Sequence, residues 1–239
     1  MPFARLFVER LPAPGERLRV AGEEAAHARA RRLSPGDPVR LFDGSGREAT
    51  ARVARLSRAG LEMVAERILE PAGAGPPVAL LVAGARPERL SWIAEKAAEL
   101  SVARLLLVRT QRTQSFRASE ALRGRLERVA RAAAKQCGAP RWPQILGPLP
   151  AAEALARESA AHRLLLDPDG EPFPAVLLPA SAALAVGPEG GWTRAEVETA
   201  RLGGWAPTAL PAGRLRAETA AVAGLVLLRA ALSRGNREP

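Results

Sequence analysis

Two short stretches toward the C-terminal end of the chain hold the residues best suited to chemistry: Val186–Thr193, VGPEGGWT, and Leu210–Ala220, LPAGRLRAETA. Each follows a short apolar run and leads into a helical pattern, so each is expected to form a loop at the carboxyl end of a buried strand. In an open α/β sheet, that edge is where ligands bind. Gly187, Gly190 and Gly191 carry no side chain and tolerate positive φ, so backbone can pass close to a ligand. Thr193 and Glu196 have the spacing of a capping box that opens the next helix. The second stretch adds Arg214, Arg216, Glu218 and Thr219. A lone glycine-rich turn is also what any tight turn looks like. Two such loops in close succession point to one site.

Other chemistries find no comparable support. No GxGxxG follows the first strand of the α/β region, and there is no Walker A sequence. Neither His27 nor His162 has a Ser or Cys partner from which a catalytic triad could be built. One cysteine and two histidines leave too few ligands for a protein-built zinc site, so no metal is expected. Cys137 falls at an inward position of a helical pattern and is expected to be a buried thiol.

The chain has 239 residues, enough for one large domain or two ordinary ones, and 47% of them are hydrophobic. No apolar run is long enough to span a bilayer, and MPFARLFVER lacks the apolar core of a signal peptide, so a reducing cytoplasm and no membrane are expected. Formal net charge is +10, and only Lys96 and Lys135 among the 35 basic residues are lysines. Between Arg104 and Arg141 ten basic residues face only Glu120 and Glu127. A local excess of that kind is the footprint expected for a phosphate backbone, which favours a nucleic-acid partner.

The elements that must position the loops are legible from periodicity. Short strands at Phe3–Val8, Arg17–Val20, Val39–Asp43, Arg47–Leu56 and Leu61–Leu69, with a helix at Glu23–Arg32, suggest a small N-terminal barrel over residues 1–70. In Arg47–Leu56 the alternation places Ala49, Ala51 and Val53 on one face and leaves Arg47, Arg52 and Arg55 exposed. Pro71–Pro77, PAGAGPP, reads as a linker. From Val78 to the end, strands alternate with helices. Strands are predicted at Val78–Ala83, Leu105–Val108, Arg163–Asp167, Ala182–Gly187 and Pro207–Leu210. Helices are predicted from Pro87, over Ser119–Cys137, near Pro150–Ser159, over Thr193–Leu202 and over Ala217–Leu232. That pattern means a mainly parallel sheet covered on both faces. The last helix has almost no polar face, so it is expected to be buried on all sides, part of it at a subunit interface.

VGPEGGWT followed by LRAETA resembles the signature pair of the SPOUT superfamily, methyltransferases with a C-terminal trefoil knot. The closer similarity is to the RsmE-type family, which methylates N3 of a uridine in small-subunit (16S) ribosomal RNA. The supporting stretches are His27–Asp37, Phe42–Ser45, Glu95–Leu100 (EKAAEL) and Gln136–Gly138 (QCG), in the same order and over nearly the whole chain. The sequence departs from the family at Gly213, where arginine is usual, at Arg214, where an aliphatic is usual, at Lys135 in place of Glu, and at Ala139 in place of Arg.

The resemblance implies an α/β protein. Residues 1–70 would form a PUA-like β-barrel that binds RNA, and residues 78–239 a trefoil-knot domain that binds S-adenosylmethionine (AdoMet), catalyses the reaction and forms a homodimer. The implied cofactor contacts are Leu166 and Asp167 at a strand end; Gly187, Pro188, Glu189, Gly190 and Gly191; and Leu210, Gly213, Leu215, Arg216, Ala217, Thr219 and Ala220. Methyl transfer to an imide nitrogen is an in-line displacement that needs no covalent enzyme intermediate. It does need N3–H to lose its proton while charge on O2 and O4 is stabilised. Arg216 is expected to hold that charge, and Glu189 or Glu218 to orient or accept the proton. Arg32, Arg112 and Arg117 are expected to contact RNA, the substrate being 16S ribosomal RNA in an assembled 30S particle. Alternatives are a SPOUT 2′-O-ribose methyltransferase acting on transfer or ribosomal RNA, and a non-catalytic RNA-binding protein.

Overall fold

A computed structural model describes residues 4–69, 75–139 and 141–235. Phe3 and the first four residues of the predicted linker, 71–74, lie outside that range. The chain divides into two compact units: Met1–Ala74 with Ala134–Arg141, and Gly75–Ala133 with Trp142–Pro239.

The first unit contains β1 (Ala4–Phe7), β2 (Arg17–Val20), α1 (Gly22–Ala30), β3 (Pro38–Phe42), β4 (Glu48–Ser57) and β5 (Gly60–Leu69). They form one sheet in the order β1-β3-β4-β5-β2, antiparallel except for the β1–β3 pair. The alternation read in β4 is present: Ala49, Ala51 and Val53 are buried, while Arg52 and Arg55 face solvent. These alanines join Leu6, Val39, Leu41, Leu61, Met63 and the inner face of α1, Ala25 and Ala28, in one apolar core. The segment Ala134–Arg141 is tied in by polar contacts. Arg5 donates to the carbonyls of Ala134 (3.3 Å) and Ala139 (3.1 Å), and Lys135 pairs with Glu24. His27 is pushed below its ordinary pKa by burial, then by the charges of Lys135 and Arg31.

The second unit contains β6 (Val78–Ala83), α2 (Pro87–Glu99), β7 (Arg104–Arg109), most of α3 (Glu120–Cys137), β8 (Gln144–Pro150), α4 (Ala151–Arg157), β9 (His162–Pro172), β10 (Ala182–Val186), α5 (Arg194–Leu202), β11 (Ala206–Ala209) and α6 (Ala217–Gly235). Its six strands run in the order β11-β9-β10-β6-β7-β8, and every neighbouring pair is parallel. The central strands β6 and β10 are buried along their whole length, as continuous apolar runs between two covered faces should be. The loops after β9, β10 and β11 thereby emerge at one carboxyl edge. No helix among the described residues is long and apolar enough to cross a membrane.

Three expectations need correction. β8 is absent from the predicted strands, because Gly147, Pro148 and Pro150 read as breakers. It pairs only with β7 at the sheet edge, where proline is tolerated. β9 does not end at Asp167. It resumes pairing with β11 at Glu171 after a large register shift, so residues 166–170 form an excursion within the strand. Cys137 is exposed rather than buried. The inward stripe of α3 runs through Leu126, Ala130, Ala133 and Ala134, and the helix has turned its next position outward by Cys137.

In α6, Ala221, Leu225, Leu228, Ala231 and Leu232 are buried, but Val226 is 49% exposed and Ala230 faces solvent. One chain covers only one side of this helix. That side approaches the sheet very closely: a Cβ on Gly224 would lie 2.8 Å from Leu184 Cδ2 and 3.1 Å from Leu166 Cδ1. The polar residue Arg229 is absorbed by carbonyls, donating to those of Pro76 (2.7 Å), Leu100 (3.1 Å) and Ser101 (2.7 Å). The last two lie just past the C-terminus of α2, the negative end of its dipole.

Candidate functional site

Three loops meet at the carboxyl edge of the second sheet and enclose a cavity of about 410 Å³. That is within the ordinary range for a small-molecule site. The first wall is the excursion in β9. Leu166 still pairs with Val186 of β10, and the backbone then leaves the ladder, with Asp169 N–H donating to Asp167 Oδ1 at 3.0 Å. Gly170 returns the strand to β11 so tightly that a Cβ there would lie 2.4 Å from the Thr208 nitrogen and 2.5 Å from the Pro207 carbonyl carbon. Those are backbone atoms, so nothing but glycine fits.

The second wall is the glycine loop after β10. Gly191 N–H donates to the Pro188 carbonyl at 2.8 Å, closing a tight turn in which Gly191 has φ +74°. A Cβ on Gly187 would lie 3.0 Å from the indole nitrogen of Trp192, so that carbon is bare because the indole packs against it. Trp192 is only 9% exposed, and its Nε1 has no hydrogen-bond partner among the described residues. The loop ends in the predicted capping box. Glu196 N–H donates to Thr193 Oγ1 at 3.3 Å, and Glu196 Oε2 accepts from Thr193 N–H at 2.8 Å. Its Oε1 accepts from Gln111 N–H at 2.9 Å, which ties the loop after β7 to the start of α5. The third wall is the Leu210–Ala220 segment, which turns at Ala212 (N–H to the Leu210 carbonyl, 2.7 Å) and enters α6.

Of the residues expected at a cofactor, Leu166, Asp167, Gly187, Pro188, Glu189, Gly190, Gly191, Leu210, Gly213, Leu215, Ala217 and Ala220 line the cavity. Arg216 and Thr219 do not; both are exposed beside it. Arg214, noted in the second stretch, also lines it, and Pro168, Asp169, Val186, Trp192, Thr208 and Ala212 line it without having been singled out. Most sit next to a predicted residue, and continuity along the loop was the signal available. The residues present suit a nucleoside-type cofactor. Apolar Leu166, Val186, Leu210 and Leu215 could flank a flat ring, and bare glycine backbone and Asp167 offer polar groups to a sugar.

The two candidate acids are joined by a residue that the sequence does not single out. Arg89, in the first turn of α2, donates from Nη1 to Glu189, and its Nε lies 3.6 Å from Glu218 Oε1. Glu218 is mostly buried, and its Oε2 has no hydrogen-bond partner among the described residues. One guanidinium therefore links α2, the glycine loop and the first turn of α6.

The expected RNA contacts are differently placed. Arg32 follows α1 in the left-handed region, φ 56°, with an exposed side chain. Arg117 folds back on its own loop, donating to the carbonyls of Gln114 (2.7 Å) and Phe116 (3.0 Å). Arg112 reaches the glycine loop, donating to the Gly191 carbonyl at 3.3 Å, and its Cδ lies 3.0 Å from where a Gly190 Cβ would be. Arg112→Ala is thus expected to weaken cofactor binding as well as RNA binding, by about three- to tenfold for one lost hydrogen bond. Calorimetry with AdoMet alone checks this; unchanged affinity would confine Arg112 to the surface.

Comparison with known proteins fits this geometry. Residues 74–229 match the RNA methyltransferase domain family, and residues 20–62 match the RNA methyltransferase PUA domain family. The ribosomal RNA small subunit methyltransferase E of Mycobacterium bovis is 31% identical over 232 residues, covering 92% of this chain and 88% of that one. A methyltransferase of Legionella pneumophila, solved with bound cofactor SAM, superposes with a TM-score of 0.80 at 26% identity over 97% of this chain and 98% of its own. The ribosomal RNA small subunit methyltransferase E of Neisseria gonorrhoeae, solved with S-adenosylmethionine, has the same fold, with a TM-score of 0.83 at 23% identity over 95% and 97% of the two chains. The α/β architecture is that of the trefoil-knot (SPOUT) methyltransferases with an N-terminal PUA-like domain. The chain belongs to the ribosomal RNA small subunit methyltransferase E family.

Proposed function

We infer that this protein transfers the methyl group of AdoMet to N3 of a uridine in 16S ribosomal RNA. The observation that carries this reading is the cavity enclosed by the excursion in β9, the glycine loop and the Leu210–Ala220 segment in a chain of this family. AdoMet supplies an electrophilic methyl group on a sulfonium. The chain supplies position and charge. The glycine loop and Leu210 would hold the nucleoside end, with Leu166, Val186 and Leu215 as its apolar contacts. Arg216, exposed at the rim just before α6, pairs with no carboxylate among the described residues and would take the charge that develops on uridine O2 or O4. Glu189 is the more exposed of the two acids and the better placed to meet the N3 proton, while Arg89 holds Glu218 in the wall.

Residues 1–70 are assigned to RNA binding, 71–77 to a linker, and 78–239 to AdoMet binding, catalysis and homodimer formation. The uncovered apolar face of α6, with Val226 and Ala230, supports a dimer built on that helix, since a contiguous apolar face left in water is unfavourable. The substrate is read as the assembled 30S particle in the cytoplasm, without a metal.

The test is methyl transfer from labelled AdoMet to unmethylated small subunits and to naked ribosomal RNA, followed by digestion and mass spectrometry. 3-Methyluridine supports the reading; a ribose-methylated product overturns the N3 assignment while keeping the fold. Arg216→Ala is expected to lower kcat by about 10²–10³-fold, the usual cost of one oxyanion donor, with AdoMet affinity within twofold. Full turnover in that variant would remove Arg216 from the mechanism.

A further inference from the structure

A second cavity, of about 440 Å³, opens at the same carboxyl edge, beyond the ends of β7 and β8. It is lined by Arg109, Gln111, Gln114, Leu155, Glu196 and Thr199, among others, and by none of the residues around the first cavity. Arg109 is the last residue of β7, half-buried, and its Nε is shut off from solvent without an acceptor. No carboxylate among the described residues pairs with its guanidinium. The one acid in the lining, Glu196, is turned to the backbone and hydroxyl of Thr193 and the backbone of Gln111. A half-buried cation without a counter-charge costs stability, because desolvation is not repaid. Such a group persists where a ligand supplies the missing anion.

We propose that this cavity binds one nucleotide of the RNA strand close to the methylated uridine, with a phosphate on the Arg109 guanidinium and the base edge toward the amides of Gln111 and Gln114. Arginine offers a planar fork of donors that matches phosphate. Glutamine amides offer both a donor and an acceptor, as single-stranded base recognition requires. The volume accommodates one nucleotide. The connection to the first cavity is direct: the loop after β7 places Gln111 on Glu196 and Arg112 on Gly191. A strand with its target base at the cofactor therefore passes this opening. The inference rests on the RNA-methylating reading for the identity of the strand, and on Arg109 for the anion.

The decisive variant is Arg109→Leu in the full chain, which keeps most of the volume and removes the charge. Binding of fluorescent ribosomal RNA is expected to weaken about tenfold, and the slope of log K against log[salt] to fall by about 0.7–0.9, the loss of one phosphate contact. AdoMet affinity by calorimetry stays within twofold, and the thermal midpoint is unchanged or higher, since an unpaired cation has gone. Arg109→Lys restores the slope and only part of the affinity. An unchanged RNA affinity and slope overturns the proposal, and so does a thermal midpoint that falls in step with RNA affinity, which marks a structural role. If uridine 5′-monophosphate binds through Arg109 while RNA binding ignores the substitution, the ligand is a free nucleotide and the strand assignment is overturned. The two readings fail separately. Wild-type protein that methylates no RNA but binds it through Arg109 keeps this site and removes the activity; methylation with binding indifferent to Arg109 does the reverse.

Discussion

Gly170→Val abolishes measurable AdoMet binding at ordinary titration concentrations and lowers the thermal midpoint. The cause is a collision of backbone with side chain, which no rotamer relieves. The new Cβ would overlap the Thr208 nitrogen at 2.4 Å and the Pro207 carbonyl oxygen at 2.6 Å, atoms held in β11. β11 lies at the edge of the sheet and pairs only with β9, so it is the element that yields. Its displacement moves Leu210 and the segment into α6, which together form one wall of the cavity. Overpacking of this kind costs about 1–3 kcal/mol of stability, and a displacement of about 1 Å at a positioned group costs on the order of a hundredfold in function. Gly170→Ala produces the same pattern with a smaller fall. Calorimetry with AdoMet and a melting curve read both effects. A Gly170→Val protein that binds AdoMet normally would show that the excursion in β9 does not form a cofactor wall.

The second large effect is expected at Arg89. Arg89→Ala slows methyl transfer about a hundredfold, on the scale of losing one positioned charge, and destabilises the fold. Glu218 is mostly buried with one oxygen already lacking a hydrogen-bond partner among the described residues, so removing its nearest cation strands a carboxylate inside the wall. For fully buried pairs that penalty is about 3–5 kcal/mol; with Arg89 27% exposed, about 1–3 kcal/mol is the appropriate scale. The interaction with Glu189 is separable by a double-mutant cycle. Arg89→Ala with Glu189→Gln is expected to be less damaging than the sum of the two, because the glutamine needs no counter-charge. Arg89→Lys restores one contact at a time, since an ammonium is a point charge where the guanidinium is a fork. Additive effects across the cycle, or an Arg89→Ala enzyme with unaltered kcat, would leave Arg89 as a surface residue.

The residues that the sequence made legible are those whose backbone behaviour is encoded locally. Gly187, Gly190 and Gly191 announce a tight backbone turn and Thr193 and Glu196 a helix start; Gly187 and Gly190 lie bare against the Trp192 and Arg112 side chains, Gly191 takes a positive φ, and Thr193 and Glu196 cap α5. β6 and β10 are legible for the same reason, as uninterrupted apolar runs. Whatever depends on tertiary partners is not. Arg89 is one arginine among many, and its link to Glu189 and Glu218 joins residues about a hundred positions or more apart, beyond the reach of any local pattern. Arg109 is hidden in the same way, since being unpaired is a property of its neighbours. β8 fails for another reason. Its prolines and glycine obey local rules that an edge position relaxes, and only the completed sheet shows where the edge is. Cys137 was misplaced by extending a helical period past the point where the helix leaves the core it began on.

The assignment of Ala134–Arg141 to the first unit bears on how the protein is made. When the ribosome has delivered the chain through Ala74, the N-terminal sheet is complete in strands but lacks the carbonyls of Ala134 and Ala139 that Arg5 uses, and the Lys135 that answers Glu24. At about 5–20 residues per second these arrive several seconds later. During that interval Arg5 keeps its ion pair with Glu48, but Glu24 has not yet met Lys135, and the final segment of the unit comes from the end of a helix that starts in the other unit. Synthesis therefore couples the two units: the first is finished only after the second has begun. Cutting the gene between them would separate the first unit from its last segment.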